Sequence, residues 1–185
     1  TPGYDLLALM TGPEGMLGVI VEVTVKLLPR PEQAQVILAA FDDVVKAGEA
    51  VGAISAEGII PAGLEMMDNP AIRAAEDYAH AGYPVDAEAI LLCELDGTHE
   101  EVTEQIQFVQ HLLKKKGATS LRTSANEAER LKLWLGRKSA FPAVGRISPD
   151  YYCMDGTIPR YQLPKILKDI SDLSKEYNLL VANVF

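Results

Sequence analysis

Two stretches of this sequence carry residues whose types and spacing could do chemistry. The first is Gly12-Pro13-Glu14-Gly15-Met16-Leu17-Gly18, with three glycines in seven residues. Glycines at that density let the backbone pass close to a ligand and offer N–H groups to anionic oxygens. The loop is not a Walker loop, because it lacks Gly-Lys-Ser/Thr. It is not a Rossmann fingerprint either, because the apolar run behind it reads as a strand and not as a helix. On its own pattern it could equally be a plain turn. The second stretch is Leu133-Trp134-Leu135-Gly136-Arg137-Lys138-Ser139-Ala140-Phe141. A helix-borne arginine beside Trp134 and Phe141 would be half desolvated, and its planar fork suits two-pronged pairing with a carboxylate. The competing reading lays the Arg137 stem over apolar neighbours and leaves its head in water.

Other candidates are weaker. Asp155 precedes Gly156, where it could accept turn N–H groups or orient a site residue. Lys138 and Arg146 read as surface charges. His80, His99 and His111 are scattered singly, and no metal-ligand spacing joins them. Cys93 and Cys153 form no CxxC pair and read as buried thiols.

These residues need elements to hold them. Behind the glycine loop, residues 19–28 are dominated by β-branched and aliphatic side chains and read as a strand, closed by Pro29 and Pro31. Composition changes there, which puts a domain boundary between residues 30 and 31. Further strands are expected over 36–41, 64–67, 89–95, 119–123, 151–157 and 179–185. The helices expected between them cover 42–56, 69–80, 98–117, 126–141 and 159–177. Asn69 is the expected cap of the second, with Pro70 at its first position. Thr98 to Glu101 reads as a capping box. We expect an α+β domain: a ferredoxin-like antiparallel sheet with helices packed mainly on one face.

The loop and its flanks carry a resemblance. Gly3-Tyr4-Asp5-Leu6, then Gly12 to Gly18, then Val19-Ile20-Val21-Glu22-Val23 resembles the end of the FAD-binding domain in the vanillyl-alcohol oxidase flavoproteins. Within them, the FAD-containing subunits of bacterial glycolate oxidases are nearest. The match rests on Gly12, Glu14, Gly15, Leu17, Gly18, Val19 and Glu22. Pro13 and Met16 stand where Ser and Thr are usual, so two hydroxyl contacts are not carried over. The stretch 133–141 resembles the helix whose arginine reaches the substrate carboxylate. The stretch 150–160 resembles the strand facing the site, and 178–185 the strand before the family's His-x-Gly-Asp-Gly-Asn-x-His segment.

The resemblance implies that residues 1–30 end an FAD-binding domain and that 31–185 are a truncated substrate (cap) domain. It implies FAD as cofactor, with Gly12, Glu14, Gly15, Gly18, Val19 and Glu22 near it and Arg137 binding the substrate. It implies oxidation of a 2-hydroxy acid, glycolate or D-lactate, to the 2-oxo acid, with a histidine base beyond Phe185. Cys153 stands where hydroxyglutarate-type relatives carry lysine, which favours a smaller monoacid. An iron–sulfur partner subunit and a peripheral position at the inner membrane are implied in the same way.

Composition sets the outer bounds. Apolar residues make up 48% of the chain, enough for a sizeable core, and 23% are charged. A formal charge of −9 argues against nucleic acid, which needs clustered Lys and Arg. No apolar run approaches the ~20 residues of a membrane span. No signal peptide opens the chain, and the two thiols suit a reduced cytoplasm. A start without Met and an apolar final run suggest a fragment, inactive by itself. A non-catalytic ferredoxin-like regulatory module or a dimerisation domain is the alternative.

Overall fold

The computed structural model describes residues 3–185. The chain divides into two compact units, Thr1–Arg30 and Pro31–Phe185. In the first unit the only regular element among the described residues is a short helix, α1 (Leu6–Leu9), whose start is capped by Asp5 accepting from Ala8 N. Residues 19–28 do not form the expected strand. A strand is made by ladder hydrogen bonds, and no described residue pairs with this run; Val21 is 92% and Leu27 84% exposed.

The second unit is built on an antiparallel sheet of four strands: β1 (Gln33–Phe41), β2 (Gly63–Asp68), β3 (Ala89–Gly97) and β4 (Ser120–Thr123). Their order across the sheet is β2-β3-β1-β4. β3 is antiparallel to both β1 and β2, and β1 to both β3 and β4. Two helices connect the strands that run the same way: α2 (Val44–Ala56) joins β1 to β2, and α4 (His99–Lys115) joins β3 to β4. This is the split β-α-β repeat of a ferredoxin-like fold, as expected.

The helical cover is wider than expected. One face of β1 and β3 presents Ile37, Ala39, Phe41, Leu91, Cys93 and Leu95 to α2 and α4, and α7 (Leu163–Tyr177) packs against α2 to complete that core. The opposite face presents Val36, Leu38, Ala40, Ile90 and Leu92 to α3 (Asn69–Ala79), to Leu133 of α5 (Glu127–Lys138) and to Ala140 of α6 (Ala140–Ile147). The ferredoxin-like helices thus share one face with α7, while α3, inserted between β2 and β3, and α5 and α6, after β4, close the other. Both central strands are therefore sandwiched, which is why their side chains are apolar without alternation.

Local differences have local causes. α3 is capped by Asp68, not Asn69: the Asp68 carboxylate accepts from Ala71 N. Asn69 instead donates to the carbonyls of Val85 and Ala87. The helix expected over 126–141 breaks at Ser139. Pro142 has no N–H for the Lys138 carbonyl four residues back, so the chain restarts as α6. Before α7, Arg160–Gln162 is a 3-10 turn. Residues 151–157 are irregular, unpaired and exposed, so Cys153 is an exposed thiol while Cys93 is buried in β3. The final run makes one antiparallel bridge, Val184 to Met67, instead of a full strand. Around that bridge Met66 and Phe185 exchange backbone bonds, and Asp68 accepts from Asn183 N and Nδ2.

Candidate functional site

α5 brings two cationic residues, Arg130 and Arg137, to carboxylates on the sheet. Arg130, Leu133, Trp134 and Arg137 fall at i, i+3, i+4 and i+7, one stripe of a helix. Leu133 is fully buried and anchors the stripe. Asn126 caps the helix by accepting from Glu129 N, which fixes where the turns begin.

Two strand carboxylates meet this stripe. Arg137 Nε donates to Glu65 Oε2 at 2.8 Å, and Nη2 forms an ion pair with the same oxygen, also at 2.8 Å. The side chains are 23% and 29% exposed, so the pair is mostly buried and the guanidinium does not stand in bulk water. The pair occupies the Nε/Nη2 edge of the fork. Arg130 is engaged on more sides: Nη1 donates to Glu94 Oε2 at 2.7 Å, and Nε and Nη2 chelate Glu127. These carboxylates hold the Arg130 cation, raising its already high pKa further. Trp134 Nε1 donates to the same Glu94 oxygen. Glu65 and Glu94 point to one face because they share the side-chain parity of Met67 and Leu92 on their strands.

Close packing fixes the helix in place. Tyr83 is buried and its hydroxyl donates to the Leu133 carbonyl. Burial pushes that phenol well above its ordinary pKa, so it stays a donor. The Tyr83 ring lies against Gly136, and the Trp134 ring against Gly63. Any side chain at either glycine would meet a ring.

The sequence-predicted residues fall as follows. Arg137 is on α5 as expected, with Trp134 one turn away. Phe141 is exposed and packs on Tyr151, ring centroids 6.4 Å apart. Asp155 is exposed in an irregular stretch. Glu65, Glu94, Arg130 and Tyr83 were not singled out in the sequence. The signal for the two glutamates is a lone carboxylate breaking an apolar strand run, in Leu64-Glu65-Met66-Met67 and Leu92-Cys93-Glu94-Leu95. Among the described residues no group of three or more His, Cys, Asp or Glu could hold a metal ion.

In the first unit, Gly12, Glu14 and Gly15 all lie in the left-handed region, with φ of 82°, 52° and 80°. Met16 N closes the turn on Pro13 O. A Cβ at Gly12 or Gly15 would have no atom within 4 Å, so open space lies over the bare backbone. At Gly18 it would touch only the flexible end of Met10, at 3.3 Å. Val19 and Glu22 follow in irregular, exposed backbone. An exposed turn with room above two glycines fits the close approach of a planar, phosphate-bearing cofactor such as FAD.

Comparison with known proteins agrees with this architecture. Residues 30–185 match the family model described as FAD linked oxidases, C-terminal domain. The chain is 68% identical over 185 residues to the glycolate oxidase subunit GlcD of Escherichia coli K12, covering 100% of this chain and 37% of that protein. It is 38% identical over 179 residues to the Bacillus subtilis subunit of the same name, covering 97% of this chain and 38% of that protein. A probable mitochondrial D-lactate dehydrogenase of Danio rerio is 28% identical over 167 residues, 89% of this chain and 33% of that protein. The chain thus spans under two-fifths of the length of these relatives. An alkyldihydroxyacetonephosphate synthase structure shares the fold, with TM-score 0.65 at 18% identity over 95% of this chain and 38% of that one. No described helix is long and apolar enough to cross a membrane. Sheet, helices and sequence together place the chain among the FAD-linked oxidases, with residues 30–185 forming their C-terminal domain.

Proposed function

We propose that this chain works as part of an FAD-dependent 2-hydroxy-acid dehydrogenase that oxidises glycolate or D-lactate to the 2-oxo acid. The observation that carries the reading is the 68% identity to a glycolate oxidase subunit across the whole chain. In this reading residues 1–30 complete an FAD-binding domain and residues 31–185 are the substrate domain. Gly12, Glu14, Gly15, Gly18, Val19 and Glu22 line the cofactor, and backbone N–H groups near the two left-handed glycines face its anionic oxygens. When bound, FAD supplies the acceptor for the hydride that leaves the carbinol carbon.

Arg137 holds the substrate carboxylate. Its Nη1 edge lies outside the pair with Glu65 and can take an acid end-on, with charge-assisted hydrogen bonds. Fixing the carboxylate on a mostly buried helix residue orients the C–H bond to be broken. Leu133 and the Tyr83 bond to its carbonyl keep α5 from shifting, so the guanidinium is held by packing as well as by charge. The proton on the hydroxyl goes to a base that we place in the segment after Phe185. An iron–sulfur partner subunit, a cytoplasmic location and contact with the membrane through such partners belong to the same reading.

The test uses the full-length enzyme with FAD. Arg137→Met should raise KM for glycolate and D-lactate about 100-fold, since the charge-assisted hydrogen bonds to the carboxylate are lost, with flavin content unchanged. An unchanged KM would remove Arg137 from the site. The chain of residues 1–185 alone should neither turn over these acids nor bind FAD stoichiometrically; a tight yellow complex would refute that part.

A further inference from the structure

Glu65 has no role in the chemistry above, yet it holds Arg137 more closely than anything else described. Both of its contacts run to the guanidinium, at 2.8 Å, and both side chains are more than two-thirds buried. The charge count around it is one-sided. The stripe of α5 that faces the sheet carries two cations, Arg130 and Arg137. Three carboxylates, Glu65, Glu94 and Glu127, already pair with them. An acid arriving at Arg137 therefore finds hydrogen-bond donors but no surplus positive charge.

A monocarboxylate can be held on those terms, by directed N–H donors. A second carboxylate on the same substrate cannot. It would enter a partly dehydrated site beside Glu65, where like charges repel more strongly than in water. We propose that Glu65 is a charge filter: by pairing with Arg137 it restricts the site to 2-hydroxy acids bearing a single carboxylate. The inference rests on Arg137 being the substrate anchor.

The experiment compares D-lactate with D-malate, which differs by one added carboxylate, in full-length enzyme carrying FAD and turning over with a dye acceptor. Glu65→Gln and Glu65→Ala should lower the lactate-to-malate ratio of kcat/KM by about tenfold or more, mainly by improving malate. Glu65→Asp keeps the charge and should hold the ratio within about threefold of wild type. A ratio unmoved in both charge-removing variants overturns the filter. So does an equal rise in KM for both acids, or failure of both variants to fold, because each assigns Glu65 to structure alone. Arg137→Met separates the two layers. If it leaves both KM values unchanged, the anchor itself has failed. If it raises both while Glu65→Gln leaves the ratio alone, only the filter has failed.

Discussion

Replacing Gly136 with alanine should destabilise the protein, although alanine is the better helix former. Gly136 lies inside α5, where the change alone would gain about 1 kcal/mol of helix propensity. The new methyl, however, would land 2.6 Å from Cε2, Cζ and the hydroxyl oxygen of Tyr83. That ring is only 5% exposed, and its hydroxyl is tied to the Leu133 carbonyl, so it has little room to withdraw. Overpacking of this kind costs about 1–3 kcal/mol, and expelling the ring would cost about 3–5 kcal/mol. The net expectation is a loss of about 2 kcal/mol, seen as a melting temperature lower by about 4–8 °C. Urea melts followed by circular dichroism would measure it. A Tyr83→Leu background supplies the control, because without the ring the Gly136→Ala change should become neutral or stabilising by up to about 1 kcal/mol. If Gly136→Ala has the same small effect in both backgrounds, the contact does not govern the helix and the reasoning is wrong.

Two further outcomes follow from burial. Burial raises the Asp68 carboxyl above its ordinary 3.8 against the pull of its bonds to Asn183 and Ala71, so the folded state binds this proton more tightly than the unfolded one. The contribution of Asp68 to stability is then fullest at acid pH and is lost as pH rises through the folded value. Relative to wild type, Asp68→Asn should therefore fare better at pH 7 than at pH 4 in matched urea melts, and the opposite order would refute the sign. The two thiols should separate by reactivity: Cys153 is exposed, whereas burial pushes Cys93 up to about 12. A disulfide reagent at mildly alkaline pH should label one thiol in the native protein and both after denaturation; fast labelling of both would mean that β3 is not buried as described.

The sequence was most legible where the signal is local. The capping box at Thr98 and Glu101 is present, and the i, i+4 apolar spacing gave α4 and α7 their buried faces. Strands were legible where the run pairs with another among the described residues. The run 19–28 is as β-branched as any in the chain, yet it has no neighbour here and forms no ladder. Propensity says what a segment can do; pairing decides whether it does. The two-sided helical cover could have been read from residues 36–41 and 89–93, which are apolar without a break and so need cover on both faces. At the site, Arg137 was visible through its setting beside Trp134 and through family resemblance. Glu65 was not, because its partner lies 72 residues away in sequence and nothing in either stretch alone declares the pair.

Asp68 joins two parts of the fold that are far apart in the chain. One oxygen caps the first turn of α3, and the other clamps Asn183 beside the edge of β2. The tail cannot peel away from β2 without breaking the two bonds from Asn183 that hold the Asp68 carboxylate in place at the head of α3. Fraying at one place is therefore penalised at the other, and the amides of Ala71 and Asn183 should exchange with deuterium as a single cooperative unit, not as a loose end and a separate helix.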